Sequence, residues 1–135
     1  MPPRSRRSPL DRGGQLLSIA NACASLDVIE NDDRCLLHLA TPYLRDCEER
    51  QIVLPATHLA AWTYKYCGNA SRRLGETDDA IEFYNTALAL FAASSPAQCV
   101  LLNHDIGALL NIQVYIYLHI IYIVIRTRVS ADTGL

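Results

Sequence analysis

Four side chains in the middle of the chain recur at helical spacing: Trp62, Lys65, Asn69 and Arg72. Steps of three, four and three residues place them on one stripe of an α-helix. An indole ring, two cations and an amide on one surface suit an extended acidic peptide. The cations would bond to carboxylates, and the ring would take an apolar side chain. The stripe therefore predicts a binding surface for a partner protein or peptide, and its two cations favour an acidic one.

The histidines show no comparable pattern for catalysis. His38, His58, His104 and His119 lie on different segments, and none stands beside a nucleophile in a recognisable motif. The sequence contains no phosphate-binding loop, no HExxH and no GxSxG. We therefore predict that the protein is not an enzyme and that it uses no cofactor.

The five cysteines are widely spaced, and no CxxC pair occurs. Zinc sites usually combine closely spaced ligand pairs, so no metal site is predicted. The odd number and the lack of a signal peptide favour reduced, mostly buried thiols in a cytoplasmic protein. These thiols belong to Cys23, Cys35, Cys47, Cys67 and Cys99.

The composition fits one helical domain with atypical ends. The chain has 135 residues, half of them hydrophobic, and a net charge of −2 that gives no attraction to nucleic acid. Residues 1–14, rich in arginine, proline and glycine, predict a disordered basic tail, with a mitochondrial presequence as the alternative.

Apolar periodicity predicts an all-α fold, in which Asp32 and its neighbours cap the second helix and Asp78 caps the fourth. Pro42 either kinks the second helix or starts a new one. The predicted helices cover 15–30, 33–50, 57–73, 79–92 and 97–113.

Small and turn-forming residues follow a fixed spacing between residues 61 and 91. Small side chains let two helices cross closely, glycine gives the turn between them its backbone freedom, and a tyrosine fills the gap. The residues in these positions are Gly68, Leu74, Gly75, Ala80, Tyr84 and Ala87.

This spacing resembles the tetratricopeptide repeat (TPR), a pair of antiparallel helices, over residues 61–91. The resemblance implies that residues 15–113 form a short TPR-like α-solenoid and a protein–protein interaction scaffold. Ile106-Gly107-Ala108 lies 39 residues after Cys67-Gly68-Asn69, a longer period that is similar to the extended repeats of the family. Because family members bind peptides with the first helix of each pair, the resemblance places the stripe on the concave face.

Lys65 and Asn69 also resemble the opening of a carboxylate clamp, the TPR variant that holds the C-termini of chaperones. In that variant, the next repeat supplies an asparagine at the position where this chain has Asp105. A carboxylate there would repel the carboxylate of a ligand. The better expectation is that Lys65 and Asn69 are polar residues lining a solvated groove.

Residues 114–135 form an atypical hydrophobic tail in which β-branched residues and tyrosine replace alanine and leucine. The longer run 106–125 carries no charged side chain, is 20 residues long and precedes Arg126 and Arg128. That length could cross a bilayer, which makes a tail-anchored adaptor on an organellar membrane facing the cytosol one alternative. A second alternative is read-through of an unspliced intron after Gln113, in a truncated piece of a larger TPR protein. A third is an ordinary packed segment.

Overall fold

The computed structural model describes residues 9–30, 32–49 and 57–134, and within these ranges it is all-α, without a strand. The prediction of an all-helical fold is therefore confirmed. The helices are α1 (Pro9–Ser25), which continues into a π-helical turn (Leu26–Glu30), α2 (Asp33–Glu49), α3 (Thr57–Arg73), α4 (Thr77–Phe91) and α5 (Pro96–Thr133).

The first two helices differ from the predicted bounds in instructive ways. α1 begins at Pro9, so that 9–14 of the predicted disordered tail are helical, whereas 1–8 lie outside the described residues. Proline suits the first turn of a helix because its fixed φ is helical and its missing N–H would have no partner there. α2 runs without interruption through Pro42, whose side chain is exposed.

One of the two predicted caps is confirmed and the other is wrong. The Asp32 carboxylate accepts a hydrogen bond from the backbone N–H of Cys35 at 3.1 Å, which caps α2. α4, however, begins at Thr77 after the N-cap residue Glu76, so Asp78 lies inside its first turn. An acidic side chain is favourable there because it faces the positive end of the helix dipole. The Asp78 carboxylate is therefore left to accept a bond from Gln113.

α3 is the central helix and packs against α1, α2 and α4. Its buried side chains are mostly small, which allows the neighbouring helices to approach closely. Ring contacts run from Trp62 to Phe91 at one end, and a hydrogen bond joins Asn69 to Tyr84 further along, so α3 and α4 form an antiparallel hairpin. The fully or nearly buried residues of α3 are Ala60, Ala61, Thr63, Tyr64, Cys67, Ala70 and Ser71.

α5 packs on α4 with its first half only. Leu102, Ile106 and Leu109 are buried, and α5 makes no close backbone approach to α3. The helix predicted over 97–113 continues unbroken to Thr133, and Gly134 closes it in the left-handed conformation at φ 71°. The change in composition at Val114 thus leaves no break in the helix. β-Branched residues lower helix propensity only slightly, and no proline or glycine interrupts the segment.

Candidate functional site

The predicted stripe on α3 lies between two neighbouring elements, α5 and the π-helical turn after α1, and we call the surface between them the groove. Three of its four side chains contact these neighbours. Lys65 reaches Gln98 of α5, Arg72 reaches Asp105 of α5, and Asn69 reaches Asp27 of the π-helical turn. The structure thus brings Trp62, Lys65, Asn69 and Arg72 to one surface. The gap between α3 and α5 is bridged by side chains alone.

The apolar end of the groove is an aromatic cluster around Trp62. Its indole N–H donates to Nε2 of His58 at 3.0 Å, and its ring meets Phe91 edge-on with centroids 5.4 Å apart. Tyr66 lies beside it at a centroid distance of 5.7 Å. The half-buried ring offers a rigid apolar surface to a side chain of a ligand.

Lys65 links this cluster to the polar part of the groove. Its ammonium lies 5.0 Å from the centre of the Trp62 ring, a cation–π distance, and donates to the side-chain oxygen of Gln98 at 2.6 Å. Desolvation lowers the pKa of Lys65, and the nearby Asp105 and Asp27 oppose that shift. The lysine is therefore a half-buried cation whose bonding partner within the chain is a neutral amide.

Asn69 is already engaged on both sides of its amide. Its oxygen accepts a hydrogen bond from the Tyr84 hydroxyl at 2.6 Å, and its nitrogen donates weakly to Asp27 at 3.4 Å. The first bond ties α3 to α4 and fixes the orientation of the amide. Asn69 thus supports the hairpin as well as lining the groove, and a ligand carboxylate would have to compete with Asp27 for its N–H.

Arg72 carries the second cation of the stripe. It forms an ion pair with Asp105 at 3.7 Å, and both side chains remain partly exposed. Its guanidinium also lies 6.0 Å from the centre of the Tyr84 ring. A long, exposed ion pair contributes little to stability, about 1 kcal/mol or less. The carboxylate of an incoming ligand would therefore compete with Asp105 for Arg72, and Asp105 would have to turn away to avoid repelling it.

Sequence reasoning missed the neighbouring cation, Arg73. Its guanidinium bonds to Asp27 and, at 2.8 Å, to Asp33, and so ties α3 to the turn between α1 and α2. These bonds, led by the one to Asp33, raise the pKa of Arg73. The sequence signal was weak, because the two acids lie about 40 residues away and only tertiary packing brings them close.

The residues predicted to let helices approach all lie in or beside the α3–α4 hairpin. Gly68 faces the Tyr84 ring so closely that a Cβ on it would lie 2.5 Å from two ring carbons. Tyr84, Ala80 and Ala87 are fully buried. Leu74 and Gly75 form the turn after α3, and Gly75 adopts a φ of +79°, which favours glycine.

The three most buried cysteines are part of the core. Cys23, Cys47 and Cys67 are buried, Cys35 is exposed and Cys99 is intermediate. Burial raises the pKa of Cys23 to about 12, and burial also raises that of Cys67. These two thiols are therefore protonated at neutral pH and unreactive as nucleophiles.

A second cavity, of about 320 Å³, lies on the opposite side of α3, between α2 and α4. Four acidic side chains and Arg45 line it, and the buried Ser71 hydroxyl, which is also in the lining, has no hydrogen-bond partner. Two of its acids, Glu76 and Asp79, stand at the start of α4, where the helix dipole favours them. The helix end thus accounts for half of the acidic side chains, which are Glu48, Glu76, Asp79 and Glu82.

The distal half of α5, residues 114–133, is the other unusual surface. Its large apolar side chains are exposed on every side of the helix, and the Tyr115 side chain is 80% exposed to solvent. Among the described residues, α5 is the one helix long and apolar enough to cross a membrane, and only 6% of its most apolar stretch is buried.

Comparisons with models of protein families, with curated proteins and with solved structures found no match for this chain. The resemblance to TPR proteins therefore stays a prediction from the spacing of the residues.

Proposed function

We propose that this protein is a non-catalytic interaction module that binds a partner peptide in the groove between α3 and α5. The observation that carries the proposal is the bridging of this groove by side chains. The polar contacts Lys65–Gln98 and Arg72–Asp105 cross a gap where the backbones do not approach. A peptide that supplies its own acceptors can take the place of Gln98 and Asp105.

The chemistry of the groove selects an extended peptide with an apolar side chain next to an acidic one. Trp62 supplies the apolar surface, and Lys65 and Arg72 supply the charge-assisted bonds. Lys65 has a neutral partner and Arg72 a weak ionic one, so both cations gain from a ligand carboxylate. A peptide that is held by its free C-terminal carboxylate, as in a carboxylate clamp, is a special case of this recognition.

A TPR-like arrangement is part of the proposal. The α3–α4 hairpin, the close approach of Gly68 to Tyr84 and the glycine turn support it. On this reading α1, α3 and α5 are the first helices of successive repeats, stacked as a short α-solenoid whose concave side is the groove. The same reading makes the protein a scaffold in the cytoplasm.

A peptide library displayed on phage and selected against the full chain would test the groove. We expect enrichment of sequences with an aromatic or aliphatic residue beside Asp or Glu. The double variant Lys65→Ala/Arg72→Ala should then weaken the selected peptide by about tenfold or more, since two charge-assisted bonds are lost.

The matched control is Arg34→Ala/Arg45→Ala, which removes the same charge from exposed positions on α2, away from the groove. Equal weakening by both double variants would show that only net charge matters, and the groove proposal would be wrong. Equal binding of peptides with free and amidated C-termini would exclude a clamp and leave the groove intact.

A second function, a membrane-anchored adaptor, is favoured by the exposure of the distal half of α5. Apolar side chains on all sides of a helix are what lipid requires, whereas a helix on a soluble domain keeps a polar face. Arg126 and Arg128 follow the run and suit the interface beyond it. On this reading the protein resides on an organellar membrane with the groove facing the cytosol.

Extraction of membranes at alkaline pH from cells that express the full chain would test the anchor. We expect the protein to stay with the membrane and Ile120→Lys to be released, because a charge inside the span opposes insertion by up to about 3 kcal/mol. Lysine at the exposed position Asn103 of the docked half is the control and should stay bound. Release of the unaltered protein would contradict the anchor.

A further inference from the structure

Residues 106–113 of α5 belong to two surfaces at once. They open the charge-free run 106–125, and they also dock α5 on the rest of the protein. Ile106 is 9% exposed and Leu109 is 4% exposed, and Gln113 donates a hydrogen bond to Asp78 at the start of α4. One segment therefore carries part of the core and part of the candidate membrane span.

The length of the uncharged helix shows that residues 106–113 cannot be docked on α4 while α5 crosses a bilayer. Beyond the docked part, the uncharged segment is only Val114–Ile125, and twelve residues of helix extend about 18 Å. The hydrocarbon core of a bilayer is about 30 Å thick and needs about 20 helical residues. Residues 106–113 add about 12 Å and complete that length. A full crossing thus requires the segment that α4 holds.

The two surroundings of this segment attract it in different ways. Docking buries Ile106 and Leu109 and satisfies the Gln113 amide. Insertion would cover the exposed side chains from Val114 to Ile125, but it carries the polar groups of Asn111, Gln113 and His119 into lipid. The docking contacts therefore oppose insertion, and the loss of one of them should shift the balance towards the bilayer.

We propose that a lipid bilayer and α4 compete for residues 106–113, and that insertion of α5 into the bilayer opens the peptide groove. Asp105 immediately precedes the contested segment and holds Arg72, while Gln98, two turns earlier, holds Lys65. When the bilayer takes 106–113, Leu109 and Gln113 leave α4, and Asp105 is drawn away from Arg72. The docked helix is thus a cover for the groove, and this inference rests on the membrane-anchored form of the proposed function.

Hydrogen exchange of the full chain, measured by mass spectrometry with and without vesicles of phosphatidylcholine and phosphatidylserine, tests the competition. In the vesicle-bound protein we expect residues 106–125 to exchange more slowly than in solution. Peptides from α4 should exchange faster, by about tenfold or more, because α4 loses its cover.

Bound protein with unchanged exchange in α4 would overturn the competition and leave the anchor standing. Failure of the chain to bind vesicles would overturn the anchor and the competition together. Peptide binding to the groove is measured separately, with and without the vesicles, so these outcomes are distinct from failure of the groove, and equal binding in the two would overturn its opening.

A matched pair of variants tests the docking contact itself. Asp78→Ala and Asp79→Ala remove the same charge from the same first turn of α4, but only Asp78 bonds to α5. We expect Asp78→Ala to raise the vesicle-bound fraction severalfold and Asp79→Ala to leave it near that of the unaltered chain. Equal effects of the two would overturn the competition, and circular dichroism in solution would show that both variants keep the fold.

Discussion

The α3–α4 hairpin and the distal half of α5 are both regular helix, yet their side chains have opposite surroundings. In the hairpin, Gly68, Tyr84 and Ala87 are buried against one another. In the distal half of α5, large side chains such as Tyr115 and Ile123 extend into open space. A helical backbone alone therefore indicates little about stability, because most of the stabilisation of helices comes from the faces that they bury.

A single lysine placed in each region should separate them most strongly. Ala87→Lys puts an unpaired charge into the core of the hairpin and should destabilise the fold by about 3 kcal/mol or more. Ile120→Lys adds the same charge at an exposed position and should change the free energy of unfolding by less than about 0.5 kcal/mol. Urea denaturation of both variants measures this. Similar losses of stability would mean that the distal half of α5 has a packing partner in solution.

Alanine substitution of two helical glycines should give effects of opposite sign. At Gly68 the new Cβ would overlap the Tyr84 ring, and we expect a loss of about 1–3 kcal/mol. At Gly107 no atom lies within 4 Å of the new Cβ, and alanine should stabilise the helix by about 0.5–1 kcal/mol. Thermal unfolding of the two variants would decide. A neutral Gly68→Ala would show that the hairpin is looser than its contacts indicate.

Removal of one hydroxyl tests the polar bond within the hairpin. Tyr84→Phe keeps the buried ring but loses the bond to the Asn69 amide, so we expect a loss of about 1 kcal/mol. Tyr117→Phe, at an exposed position of α5, is the control and should be neutral. An unchanged Tyr84→Phe would mean that Asn69 finds another donor, and the fixed orientation of its amide would need revision.

The ionisation of Tyr84 should have the smallest effect on the free energy of unfolding at neutral pH. Its effect should grow in alkali. Burial raises the pKa of Tyr84 from 10.0 to about 12. Because the folded state holds the proton more tightly than the unfolded state, this stabilisation is complete below pH 10 and is lost as the pH rises towards 12. Urea denaturation across that window should show falling stability, with a shallower fall in Tyr84→Phe. The same slope in both chains would contradict the assignment to Tyr84.

Much of the local structure could be predicted from the sequence because it depends on near neighbours. The bounds of α3, the cap at Asp32 and the turn at Gly75 follow from periodicity and from side chains within a few residues. The start of α4 could not be predicted as well. Glu76, Thr77 and Asp78 are all tolerated at a helix start, and the pairing of Asp78 with Gln113 depends on a residue 35 positions away.

The candidate site also has a part that could be predicted from the sequence and a part that could not. The stripe of Trp62, Lys65, Asn69 and Arg72 was visible from spacing alone, because helix geometry fixes which side chains share a face. Their partners were not visible. Asp27, Gln98 and Asp105 come from other helices, and the sequence does not record which helices become neighbours.

Residue types and short-range periodicity are enough to predict that this protein is helical, where its small residues lie and which run lacks charge. The long-range contacts became visible in the folded protein alone: Gly68 meets the Tyr84 ring, Asp105 pairs with Arg72, and residues 106–113 are docked while 114–133 are not. Burial and ion pairing depend on which distant surfaces are brought together. A stretch of apolar residues has the same sequence pattern whether it faces a core, a bilayer or water.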